Sequence, residues 1–126
     1  MKQLAGNVII EDGKILLLYK KDENHWEVPG GKAEENESPT EAAVREAKEE
    51  IGLEIDLERP FYTGEFQYQD QIFEWSGYIS SIDGEPKIQE DKFEQLKWFS
   101  EKELKECEEL APNIRMVESG LRRFLE

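Results

Sequence analysis

The sequence predicts an α/β domain in which a mixed β-sheet is flanked by a helix over residues 39–51 and a C-terminal helix. Three observations carry this prediction. Apolar and β-branched runs at 4–11, 14–21, 64–68, 71–81 and 93–99 are bounded by turn residues and read as strands. Two segments, opening at Pro39 and Pro112, repeat their apolar residues at three- and four-residue steps and read as helices. Strands precede the first of these segments and lie between the two, so the helices can cover both faces of one sheet. At 126 residues the chain is expected to be a single domain spanning 1–126.

The elements follow in order. Leu4–Glu11 is the first strand, and Asp12-Gly13 is a strong hairpin turn. Lys14–Lys21 continues as a second strand, whose nearly unbroken apolar run Ile15–Tyr19 suits a central position buried on both faces. Asp22–His25 reads as a polar loop with His25, the only histidine, in solvent, and Trp26–Val28 as a short strand. Pro29-Gly30-Gly31 allows a tight loop that comes close to a ligand or metal. Ser38 is a helix N-cap, Pro39 fits the first helical position, Glu41 completes a capping box and Gly52 suits the left-handed residue that ends a helix. Ala43, Val44, Ala47 and Ile51 form its buried stripe.

Beyond the helix, Glu54–Leu57 alternates and, with Arg59–Tyr62, opens the next strand region. Gly64–Tyr68 and Gln71–Ser81 read as two strands joined by a turn near Asp70. Asp83–Pro86 is a turn and Phe93–Phe99 the last strand. Ser100 caps a short helix, and Ile114, Val117, Leu121, Phe124 and Leu125 give the C-terminal helix an apolar stripe facing the core.

Composition narrows the function. The net charge is −14, from 16 basic and 30 acidic residues, which disfavours nucleic-acid polymers and anionic membranes as partners. No run is long enough to span a membrane, and the N-terminus has no apolar signal region. A single cysteine, Cys107, excludes an internal disulfide and fits a reducing compartment, so a cytoplasmic location is expected.

Glu46, Glu49 and Glu50 fall at i, i+3 and i+4, on a helix face separate from the apolar stripe. Like charges at this spacing repel, and a bound cation removes the repulsion. Acidic runs on helices are more often solvated faces than metal sites, but the surroundings shift that balance. Glu37 and Arg45 offer a charge pair that braces the loop against the helix, and Lys32 places a positive charge beside the loop. An all-oxygen ligand set points to Mg²⁺, with Mn²⁺ as the other choice.

Gly31, Glu37, Arg45, Glu46, Glu49, Glu50, Gly52 and Leu53 match the signature of the Nudix hydrolase family over residues 31–53, with Ala47 smaller than the usual aliphatic residue. Trp26–Lys32 resembles the family's lead-in, and Leu96–Ser100 its closing strand. The resemblance implies a Nudix α/β/α sandwich and metal-dependent hydrolysis of a phosphoanhydride in a nucleoside diphosphate linked to another group. It implies Glu46, Glu49, Glu50 and the Gly30 carbonyl as metal ligands. From a later loop it implies Glu90 as a further ligand or base, with Glu94 as runner-up. Lys32 and Lys20 become phosphate contacts, and Asn113 a contact to a purine edge. Trp26, Phe66 and Tyr68 become stacking candidates, with core packing the default for each. The length and the Leu110–Asn113 segment resemble MutT-type enzymes, which convert a nucleoside triphosphate, in some cases an oxidised one, to monophosphate and pyrophosphate. Tyr68 keeps dinucleoside polyphosphate hydrolysis open, whereas Pro60 lies too early for the ADP-ribose pattern. A catalytically silent nucleotide- or partner-binding module is the alternative of another class. The expected partner is a small nucleotide, and the expected state a monomer or homodimer.

Overall fold

The computed structural model describes residues 1–126 as seven strands and three α-helices. In order these are β1 (Lys2–Glu11), β2 (Lys14–Lys20), β3 (His25–Glu27), β4 (Gly30–Lys32), α1 (Pro39–Ile51), β5 (Ile55–Tyr68), β6 (Gln71–Ile82), β7 (Phe93–Phe99), α2 (Glu101–Glu106) and α3 (Pro112–Leu121). A 3₁₀ turn over Arg122–Phe124 follows. The strand order is β3-β2-β1-β6-β5, with β4 paired to β1 and β7 to β2. The sheet is mixed, because β1 runs parallel to β6 and antiparallel to β2 and β4. No helix is long and apolar enough to cross a membrane.

β1 is the organising strand. Along Lys2–Ile9 it pairs with β6, while its other edge pairs with β4 through Leu4–Gly6 and with β2 only at Ile10 and Glu11. Asp12 (φ 52°) and Gly13 (φ 75°) are both left-handed, the geometry of a tight two-residue hairpin. β2 then parts from β1 and pairs with β3 and β7. β4 takes up the vacated edge, which carries the Gly30-Gly31 backbone against the centre of the sheet.

The central strands bury both faces, as their unbroken apolar runs predict. Val8, Ile15 and Leu17 face one core with Trp75, Phe99 and the α3 residues Ile114, Val117 and Leu121. Ile9, Leu16 and Leu18 face the other with Ala47 and Ile51 of α1. Helix α1 has the boundaries its caps predict: Ser38 and Glu41 form a reciprocal capping box and Gly52 sits at φ 78°. Each such cap contributes about 1 kcal/mol.

Three expectations are corrected. Gly30–Lys32 is a strand rather than loop, because pairing with β1 satisfies its backbone. β5 is one strand through Pro60; it lies at the sheet edge, where a missing N–H costs little, and register shifts flank the proline. His25 is buried rather than solvated, since β3 pairs with β2 from Leu18 to Lys20.

Candidate active site

The site is built where β4 passes the C-terminal half of α1, and a buried asparagine fixes that approach. Asn7 has no exposure to solvent. Its Nδ2 donates to the Pro29 carbonyl (3.1 Å) and the Ala43 carbonyl (3.0 Å), and its Oδ1 accepts from Ser80 Oγ (3.1 Å). One side chain thus joins β1, the loop before β4, helix α1 and β6. Such a fully satisfied buried network holds its members in one arrangement. The closeness demands glycine: a Cβ on Gly30 would meet the Ala5 carbonyl at 2.1 Å, and one on Gly31 would meet the Glu46 carboxyl carbon at 2.7 Å.

Arg45 is the electrostatic hub. Its Nε and Nη2 donate to the two oxygens of Glu37 at 2.7 and 2.9 Å, a bidentate pair. Nη1 donates to Glu46 Oε1 (2.9 Å) and Glu49 Oε1 (3.0 Å), and Nη2 also reaches the Lys32 carbonyl (3.1 Å). The Glu34 N–H donates to Glu37 Oε1 as well (2.9 Å). The Arg45 hydrogen bonds and this N–H hold the Glu37 carboxyl down to about 2. Hydrogen bonding to Glu37 is also the main cause that raises the Arg45 guanidinium further above its ordinary value.

The three helix glutamates occupy different environments. Glu49 is the most exposed, Glu46 is mostly covered, and Glu50 is fully buried. Glu50 Oε1 accepts from the Gly30 N–H (2.9 Å), while Oε2 has no hydrogen-bond partner. Burial pushes its carboxyl well above the usual carboxylate range, partly offset by that N–H and by the charge of Lys92. Lys92 Nζ lies 3.5 Å from Glu50 Oε2 and 3.7 Å from Glu90 Oε1.

The residues suit a hard divalent cation. The donors are all oxygen, Glu50 presents an orphaned buried oxygen, Arg45 engages only one oxygen of Glu46, and Gly31 leaves that carboxylate room. No three acidic groups already enclose a single point, because Arg45 draws Glu46 and Glu49 together while Glu50 lies against Gly30.

Beside this cluster opens a cavity of about 430 Å³. Lys20, Lys32, Phe66, Tyr68 and Asn113, all singled out in the sequence, line it with Gly30 and Gly31. The Tyr68 hydroxyl is bonded to Glu23, which raises its pKa to about 12. Trp26 is absent from the cavity. It alternates with the cavity-lining His25 and Glu27, packs edge-on against Tyr19 and Phe99, and anchors the entry to α3 through backbone bonds to Glu109 and Ala111. The stacking expectation for Trp26 therefore gives way to core packing. Glu90 joins the cluster through Lys92, whereas Glu94 is exposed on β7.

Sequence reading missed Asn7, Glu27 and Lys92. Asn7 left a signal, a polar residue inside an otherwise apolar central strand. Glu27 Oε2 accepts from His25 Nε2 at 2.9 Å, a pairing visible only once β3 is placed.

Comparison with known proteins agrees with this geometry. The family model described as NUDIX domain matches residues 1–119. An 8-oxo-dGTP diphosphatase of Escherichia coli (strain K12) is 38% identical over 94 residues, covering 68% of this chain and 73% of that protein. A MutT-like protein of Streptomyces ambofaciens is 38% identical over 55 residues, covering 44% of this chain and 36% of that protein. The chain spans about half the length of several curated relatives it matches. The crystal structure of a MutT NUDIX hydrolase from Burkholderia pseudomallei superimposes with a TM-score of 0.85 at 26% identity, over 94% of this chain and 95% of that one.

Proposed function

The chain belongs to the Nudix family, and from that premise we propose that it is a divalent-metal-dependent pyrophosphohydrolase acting on a nucleoside triphosphate. The observation that carries this reading is the junction of the Glu46, Glu49 and Glu50 cluster with a cavity that bears Lys20, Lys32 and Asn113. Mg²⁺, or Mn²⁺ in its place, would be held by Glu46, Glu49, Glu50 and the Gly30 carbonyl, with Glu90 as a further ligand or base. When bound, such an ion neutralises phosphate charge and makes its water more acidic.

The remaining work falls to the protein's own groups. Lys32 and Lys20 attract the polyphosphate into the cavity against a net charge of −14. Arg45, itself braced by Glu37, holds Glu46 and Glu49 on the side of α1 that faces β4. The attack of water on phosphorus breaks one phosphoanhydride and releases pyrophosphate and the monophosphate. Asn113 offers an amide to a base edge, and Phe66, stacked on Phe73 at 5.4 Å, gives the cavity an aromatic wall. The name of the E. coli relative supports an oxidised purine triphosphate as substrate. Tyr68 in the cavity wall supports dinucleoside polyphosphates as a second reading.

The test is release of pyrophosphate and phosphate from canonical and oxidised nucleoside triphosphates, diadenosine polyphosphates and ADP-ribose, with Mg²⁺ or Mn²⁺. Glu49→Gln is the control. Metal-dependent pyrophosphate release from a triphosphate, lost in Glu49→Gln with the fold intact, is the expected result. Turnover confined to a dinucleotide or ADP-ribose overturns the substrate. Absence of turnover with nucleotide still bound overturns the enzyme reading in favour of a binding module.

A further inference from the structure

Lys92 stands in a position that its place in the loop before β7 does not explain. Its ammonium lies 3.5 Å from Glu50 Oε2 and 3.7 Å from Glu90 Oε1, and these two oxygens are both buried without a hydrogen-bond partner. Both separations exceed hydrogen-bond length, so the three groups are held by charge rather than by directed bonds. Burial works against the charge of Lys92, but Glu50, Glu90, Glu46 and Glu27 together outweigh it. Lys92 is thus the cation that Glu50 and Glu90 share.

We infer that Lys92 is a tethered counter-cation that holds Glu50 and Glu90 in the metal-free protein and must yield its position when a divalent ion binds, so that it sets the metal affinity of the site. This rests on the metal-dependent reading proposed above. An ammonium neutralises one of the two facing carboxylates, whereas a divalent ion neutralises both. The two cations cannot share the space, since their repulsion at contact distance is strong even at an effective dielectric constant of about 20.

The backbone is arranged so that only the side chain need move. The Gln89 and Lys87 N–H groups donate to the Glu50 and Ile51 carbonyls at 2.9 and 3.0 Å, and the Lys21 N–H donates to the Lys92 carbonyl at 3.3 Å. These bonds pin the loop to the end of α1 and to the end of β2. The Lys92 side chain is partly open to solvent, which gives it a place to withdraw to. A direct role on substrate phosphate is disfavoured, because Lys92 does not line the cavity.

The experiment is Mn²⁺ titration of the nucleotide-free protein, read by loss of the free-ion electron paramagnetic resonance signal. Wild type, Lys92→Met and Lys92→Arg are compared, with thermal unfolding in chelator and in saturating Mn²⁺. Lys92→Met is expected to bind Mn²⁺ on the order of tenfold more tightly, the scale of one nearby charge removed from a partly solvated site. It should melt lower than wild type in chelator and recover when Mn²⁺ is added, while Lys92→Arg should stay near wild type in both. If Lys92→Met does not fold without metal, Lys92→Gln carries the same comparison. Equal or weaker Mn²⁺ affinity on loss of the charge overturns the role of Lys92. Failure of wild type itself to bind Mn²⁺ is a different result, and overturns the metal-dependent reading together with this inference.

Discussion

Replacing Asn7 with leucine tests whether the buried amide fixes the approach of β4 to α1. The change keeps the volume of the side chain close to its original value but removes three hydrogen bonds, to Pro29, to Ala43 and from Ser80. The partners are not stripped bare. The Asn7 N–H still serves the Pro29 carbonyl at 2.8 Å, and Ser80 Oγ keeps a contact with the Tyr78 carbonyl at 3.3 Å. At about 1 kcal/mol for each lost bond, the expected destabilisation is about 3 kcal/mol. A domain of this size loses roughly 3–5 °C of Tm per kcal/mol, so the midpoint should fall by about 9–15 °C in circular dichroism or calorimetric melts. Ser80→Ala adds a sharper criterion. Alone it should cost about 1 kcal/mol, and in the leucine background almost nothing, giving a coupling energy of about 1 kcal/mol in the double-mutant cycle. A leucine variant melting within about 2 °C of wild type, or strictly additive costs, would refute the network as the element that seats the loop.

Gly30 and Gly31 should separate structure from chemistry. Gly30→Ala drives a Cβ into the Ala5 carbonyl, rigid backbone, and should lower Tm by several degrees; Gly31→Ala meets only the Glu46 carboxylate, a flexible side chain, and should leave Tm nearly unchanged while hydrolysis falls. Thermal melts beside pyrophosphate release distinguish the two. The Glu37 carboxyl, held down to about 2 against an ordinary 4.5, contributes stability that is complete above pH 4.5 and is lost as pH falls through 2. Glu37→Gln should therefore lower Tm at neutral pH and flatten the dependence of Tm on pH across that acid window. A curve parallel to wild type would remove Glu37 from the brace.

Much of this architecture is legible in the sequence because local chemistry specifies it. Ser38, Pro39, Glu41 and Gly52 bracket α1 through caps that depend only on neighbours within a turn, and Asp12-Gly13 sets its hairpin in the same way. The spacing of Glu46, Glu49 and Glu50 places them on one side of the helix, yet it does not tell which is buried. That distinction depends on Gly30, twenty residues away. β4 escapes notice because three residues with two glycines carry no alternation, and only β1 makes them a strand. The segment through Pro60 reads as the opening of a strand region separate from Gly64–Tyr68, and only its place at the sheet edge shows that the two are one strand. His25 is buried and Trp26 turned from the cavity to the core for the same reason: strand alternation at β3 is fixed by β2, not by their own polarity. Asn7 and Lys92 take their roles from partners between two and 73 positions distant, which no local pattern encodes.

The parallel pairing of β1 with β6 also governs how the chain acquires its form. Lys2 lies beside Phe73 and Ile9 beside Ser80. β1 therefore waits for β6, and loop closure across that interval precedes any reward from the contacts the pair makes. α1 and the β5–β6 hairpin, by contrast, are tied by contacts close in sequence. The acidic cluster draws its parts from β4, α1 and the segment before β7, so it exists only where all three are packed together.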